Sequence, residues 1–176
     1  MEKSILGITL ICTKIIRYVL YFCDVVIAVG IVLTSVFRYR IIEMLESENI
    51  VISDNGAISF PLIVYACINA FIILVCVTVS LGKFQKIIEN LKKEEYFSKQ
   101  NSDYCKDILS TIAILTTCQI SARLLFNYMQ ITDVSAIFDL SLGDYLVNIV
   151  FALIAFCAAL LFNKGRLLQE DSESII

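Results

Sequence analysis

The sequence predicts an all-α fold: an integral membrane bundle of four transmembrane helices with both termini on the cytosolic side (N-in/C-in). Three observations predict it. Apolar stretches at about residues 15–37, 60–82, 107–129 and 145–163 each approach the ~20 residues that cross a hydrocarbon layer of about 30 Å. The 176 residues are 59% hydrophobic and only 18% charged, against about 45–50% and about 25% in soluble domains. Lysine and arginine gather at the N-terminus (Lys3, Lys14, Arg17), in the middle segment 83–106 and in the tail (Lys164, Arg166), and positive charge marks the cytosolic side. The whole chain, 1–176, reads as one four-span membrane domain with a cytosolic loop over 83–106 and a cytosolic tail over 164–176.

The N-terminus starts like a signal peptide, but Lys14 and Arg17 interrupt the apolar run and no small-x-small site follows. It is expected to form an interfacial lead-in to the first span. A lipid-facing backbone must satisfy its own polar groups, so spans of this length are helices. Pro61 opens the second span in the first turn, where its missing N–H costs nothing. The two other loops are acidic and face outward. In the first, Asn55-Gly56 between β-prone runs predicts a small hairpin. In the second, Ile131, Val134, Ile137 and Phe138 have the spacing of a short interfacial helix. Small residues at four-residue spacing (Ala66 and Ala70; Ala113, Thr117 and Ser121; Ala155 and Ala159) predict close helix–helix approach.

Four polar residues inside spans, Asp24, Asn69, Gln119 and Arg123, are candidates for an intramembrane site, with Asn148 near Arg123 toward the outer surface. Charge within the bilayer is costly, about 2.5–3.5 kcal/mol at the centre, so such residues face the bundle interior or water. Interhelical hydrogen bonding accounts for them. Their alternative use is a polar intramembrane site of a small channel, transporter or immunity protein. Paired acids, broken helices and internal repeats, the marks of a transporter, are missing.

No enzyme is expected. The chain has no histidine, and its seven cysteines lie in apolar runs or, for Cys105, in the lysine-rich segment, so they serve as free thiols. No catalytic, cofactor-binding or metal-ligating set emerges, and no cofactor is expected.

The segment 83–106 carries six of the fourteen basic residues. Phe84, Ile87, Ile88 and Leu91 share one helical face, so a helix continues out of the second span. A polar break follows over 94–102, with Ser98, Asn101 or Ser102 able to cap the next helix. Two uses compete for this surface: a cationic connector at anionic headgroups, and a partner-docking site formed by that stripe with Lys92 and Lys93.

Two stretches resemble the DUF2975 family of bacterial four-helix membrane proteins. One is IIENLKKEEYFSKQN, a helix and short acidic turn followed by Phe97 and, four residues on, Asn101. The family often has proline before that phenylalanine; here Tyr96 stands there. The other is the ending FNKGRLLQEDSESII, in which Phe162, Gly165, Leu168, Gln169, Glu170, Asp171 and Glu173 fit the family's close. The resemblance implies a bacterial cytoplasmic membrane protein without established chemistry, in a family commonly encoded beside a very small helix-turn-helix DNA-binding protein. It therefore implies a membrane regulator or anchor for such a partner, and no direct nucleic-acid binding. Phe97 and Asn101 would join the docking surface, and Glu170, Asp171 and Glu173 would meet the partner's basic face.

Overall fold

The computed structural model describes residues 2–40, 43, 60–128 and 142–173. Four long helices make up the bundle: α1 (Glu2–Val36), α2 (Phe60–Lys92), α3 (Lys99–Tyr128) and α4 (Leu142–Glu173). All four are long and apolar enough to cross a membrane, and no strand occurs among the described residues. The expected hairpin around Asn55-Gly56 and the expected interfacial helix over 131–138 lie outside those residues.

The helices are longer than the spans inside them. At about 1.5 Å per residue, α2 is about 50 Å long, against an apolar layer of about 30 Å. The surplus lies at residues 2–14, 83–92, 99–106 and 164–173, which all meet at one end of the bundle. The N-terminal stretch is therefore not a separate lead-in. It is the first three turns or so of α1, and Lys14 and Arg17 do not break the helix. Both reach across to the surplus of α2: Lys14 Nζ lies 3.9 Å from Glu89 Oε1, and Arg17 Nη1 donates to Gln85 Oε1 at 3.3 Å.

Each helix packs antiparallel on its neighbour, α1 on α2, α2 on α3 and α3 on α4. Polar contacts mark the register of each interface. Asp24–Thr78 continues the α1–α2 series, and Tyr65–Ser121, Ser80–Thr111 and Asn90–Asn101 climb the α2–α3 interface. Asn148–Thr116 and Ser102–Ala159 do so for α3–α4. Helices α1 and α4 form the flanks, and their long exposed apolar faces are what lipid would cover.

Two apolar clusters sit inside. One, in the half of the bundle away from the surplus turns, joins Leu62 and Ile73 of α2 to Ala122 and Phe126 of α3. The other joins Ile87, Cys105 and Ala159 from three helices, with Leu91, Tyr104, Ile108 and Phe162 around them. Ala66 and Ala70 pack on the first cluster, and Ala155 and Ala159 are buried, as expected of close-approach positions. The stripe expected in α3 is displaced. Ala113, Thr117 and Ser121 are exposed, and the close approach runs one residue on, through Cys118 and the fully buried Ala122. Both stripes share a four-residue period, so spacing alone does not tell which of two faces 100° apart turns inward.

The break between α2 and α3 is a tight, doubly capped turn. Glu94 N–H donates to Leu91 O (3.1 Å) and Glu95 N–H to Asn90 O (3.0 Å), the paired bonds of a Schellman motif. Glu94 occupies its left-handed position, φ 68°, where glycine is usual. On the far side Ser98 caps α3, its Oγ accepting from Asn101 N–H at 3.3 Å. The left-handed backbone costs an L-residue about 1–2 kcal/mol, so Glu94→Gly should be more stable than Glu94→Ala by about 1 kcal/mol. The two variants lose the same side chain, and their unfolding midpoints in detergent isolate the backbone effect. Equal midpoints would show that the turn carries no such strain.

Candidate functional site

The end of the bundle where the surplus helix turns meet is held by one side chain above all. Asn101 is 0% exposed. Its Nδ2 donates to the carbonyls of Glu95 (2.9 Å) and Tyr96 (3.1 Å), and its Oδ1 accepts from Asn90 Nδ2 at 2.8 Å. Those carbonyls belong to the turn, where no helix ladder satisfies them. A primary amide presents two donors and an acceptor, so asparagine joins the turn, the end of α2 and the start of α3 at once.

The next residue ties in α4. Ser102 Oγ donates to Ala159 O at 3.1 Å, within reach because alanine keeps the two helices close. Farther out, the ring of Phe97 packs against α4 at Gly165. A Cβ built on Gly165 would stand 2.1 Å from Phe97 Cδ1 and 2.3 Å from Cε1, far inside any carbon–carbon contact. Gly165 is mid-helix, where glycine is unfavourable by about 0.5–1 kcal/mol relative to alanine. Close approach of the ring is what requires it there. The two stretches that resemble the family thus meet in space at 97 against 165, and the contact of 102 with 159 lies just outside them.

These positions change the picture of several docking residues. Ile87, Ile88 (3% exposed) and Asn101 are buried, and Leu91 is half-buried against the inner cluster. They face the interior because the surplus turns of α2, α3 and α4 pack on one another beyond the apolar layer. A partner therefore does not meet them without rearrangement. Phe84 and Phe97, both 45% exposed, together with Lys92 and Lys93, do lie at the surface. So do Glu170 and Asp171, with Glu170 held by Arg166 Nη1 at 2.8 Å. The side chain of Glu173 lies outside the described ones. Tyr96 and Leu168, not singled out by spacing, add exposed apolar surface near Phe97 in sequence or fold.

The four intramembrane polar residues do not converge on one site. Asp24 Oδ2 accepts from Thr78 Oγ1 at 3.0 Å across α1 and α2, while its Oδ1 is buried without a partner. Asn69 donates to the carbonyl of Tyr65, one turn back, at 3.4 Å. Gln119 Oε1 accepts from Asn148 Nδ2 (2.8 Å), which also reaches Thr116 Oγ1 (3.2 Å), so this group pins α4 to α3. The Arg123 guanidinium stands 5.9 Å from the centre of the Tyr145 ring. At the membrane edge Lys83 pairs with Asp107 at 2.6 Å.

Asn90, Ser102 and Gly165 are the structural residues that local spacing did not reveal. Ser102 is expected only as a candidate cap and Gly165 only through the resemblance, whereas Asn90 falls three residues after Ile87 and one before Leu91, on the same inward face. Among the described residues no group of three or more cysteine and carboxylate side chains could hold a metal ion, and all seven cysteines are free thiols.

A family model described as a protein of unknown function, DUF2975, matches residues 14–176, nearly the whole chain. No curated protein and no solved structure matches it.

Proposed function

The chain belongs to the DUF2975 family, and from that premise we propose that it is a non-enzymatic regulator or anchor in a bacterial cytoplasmic membrane, holding a small helix-turn-helix DNA-binding protein at its lysine-rich end. Both termini and the segment 83–106 face the cytosol in this reading, which rests on the lysine and arginine distribution.

One observation carries the proposal. Four helices continue past the apolar layer on the same side, and the surplus turns of α2, α3 and α4 are locked together by Asn101, Ser102 and the Phe97–Gly165 contact. Spanning a bilayer needs none of this. A fixed cytosolic end is what a partner can read, and its surface combines exposed rings (Tyr96, Phe97) with opposite charges at Lys92–Lys93 and Glu170–Asp171. The acidic pair can face the partner's DNA-binding surface and compete with phosphates.

Charge reversal tests this placement without disturbing the buried residues. In tagged full-length protein, Lys92→Glu with Lys93→Glu, or Glu170→Lys with Asp171→Lys, should reduce co-purification of the helix-turn-helix protein at least about tenfold, a loss of about 1.4 kcal/mol. Membrane abundance should hold. Full retention in both variants would remove the docking surface from this end.

A further inference from the structure

A cavity of about 330 Å³ opens between α1 and α2 where the apolar part of α2 gives way to its polar extension. Arg17, Lys83 and Lys86 stand around its polar end, Val75 and Val79 form its apolar wall, and Asp24 closes it about two turns deeper along α1. Its volume falls within the range of about 300–1,000 Å³ of small-molecule sites.

The cations are not equivalent. Lys83 is paired with Asp107. Arg17 and Lys86 have no carboxylate partner among the described residues; Lys86 lies over the Tyr104 ring, 5.4 Å from its centre. Arg17 is nonetheless held in place. Its Nε and Nη2 donate to Tyr21 Oη at 3.1 and 2.6 Å, and its Nη1 donates to Gln85 Oε1 at 3.3 Å. The guanidinium lies flush on the backbone at Gly82, where a Cβ would come within 2.9 Å of Cζ. Three of its five N–H groups serve these bonds, so two remain for a ligand. Arginine with two free donors, fixed in advance, is suited to phosphate oxygens.

Counted formally, Lys83 is balanced by Asp107 and one further cation by Asp24. The walls are left with one positive charge, which matches a monoanion. A phosphodiester carries a single negative charge, whereas a phosphomonoester carries about 1.5 to 2 at neutral pH. The apolar wall of Val75 and Val79 continues the site toward the membrane interior, which favours an amphiphile over a free anion. Flanking tyrosines (Tyr18, Tyr21 and Tyr104) are side chains that suit the headgroup level.

We propose that this cavity binds an anionic phospholipid, with the phosphodiester at Arg17 and Lys86 and an acyl chain along Val75 and Val79. The site is separate from the proposed partner surface and stands without it.

The full chain, delipidated in detergent, is the material for the test, with phosphatidylglycerol, phosphatidylcholine and inorganic phosphate as probes. Lipid binding by native mass spectrometry should favour phosphatidylglycerol over phosphatidylcholine at least about tenfold. Arg17→Gln with Lys86→Gln should weaken phosphatidylglycerol binding about thirtyfold, at the usual worth of each cation near an anionic surface. Lys99→Gln with Lys106→Gln removes the same charge elsewhere on this end and should change little. Where the double variant fails to fold, Arg17→Lys keeps the charge, loses the fork, and should still weaken binding. Equal binding of both lipids, an equal loss in the Lys99/Lys106 variant, or unchanged affinity in Arg17→Lys would overturn the proposal. Displacement of the lipid by millimolar inorganic phosphate would likewise overturn it, in favour of a free-anion site.

Discussion

Asn101→Ala is expected to destabilise the protein by about 3–5 kcal/mol, the largest effect of any single polar substitution at this end. The change removes three hydrogen bonds made by a side chain that is itself fully buried. It leaves two turn carbonyls and the Asn90 amide without partners, at about 1–3 kcal/mol for each buried group. Asn101→Asp should fare no better. Aspartate keeps the acceptor for Asn90 but turns a carboxylate toward the carbonyls of Glu95 and Tyr96, where donors are needed. Unfolding in graded detergent mixtures, with helix content as the readout, measures both. A loss below about 1 kcal/mol in Asn101→Ala would mean that the turn holds without it, since a typical net hydrogen bond alone contributes that much.

Gly165→Ala is the second, and its sign should depend on a residue 68 positions away in sequence. In the natural chain the added methyl collides with the Phe97 ring, and displacing the ring should cost about 1–3 kcal/mol, as overpacking does. In a Phe97→Ala background the collision is gone. The same substitution then replaces a mid-helix glycine by alanine and should stabilise by about 0.5–1 kcal/mol. The inversion is a coupling energy that a double-mutant cycle reads directly. If Gly165→Ala had the same effect in both backgrounds, the ring would not be resting on the α4 backbone, and the lock between the middle segment and the tail would be lost from this picture.

Together these two effects say where the folding information of the polar end lies. The spans were legible because lipid imposes length and apolarity on each stretch separately, and Pro61 marks a helix start by local chemistry, whereas Ser98 is one of three candidate caps among which the structure chooses. Phe84, Lys92, Lys93, Glu170 and Asp171 are exposed at this end. What escaped depends on contacts between distant stretches. The same four apolar residues, Phe84 to Leu91, fit an exposed docking stripe or an inner face, and only the arrival of α3 and α4 decides that Ile87 and Ile88 turn inward. Asn101 reads as solvent-facing by residue type, yet it is the most deeply buried polar group among the described residues, because its amide bonds two turn carbonyls and Asn90 at once. Ala122 was missed beside Ser121 because period does not fix phase. Arg17 read as a topology signal alone; its place over Gly82, facing a cavity, emerges only when α1 and α2 are packed.

The polar residues inside the membrane have a simpler use than a shared site. Each bonds within the bundle, and the Asn148–Gln119 and Asp24–Thr78 contacts join adjacent helices where the hydrophobic effect no longer draws them together. The orphan Oδ1 of Asp24 is the exception, and it lies on the α1 helix whose cavity is assigned to lipid. On the two proposals the molecule divides its surfaces: α1 and α2 toward lipid at the membrane edge, and the locked ends of α2, α3 and α4 toward the partner.

The most direct measurement asks where the small helix-turn-helix protein resides. In cells expressing both proteins at fixed levels, it should sediment with the membranes when this chain is present, remain soluble when the chain is deleted, and be released by Lys92→Glu with Lys93→Glu. The same soluble and membrane fractions in the presence and absence of the chain would contradict its role as anchor.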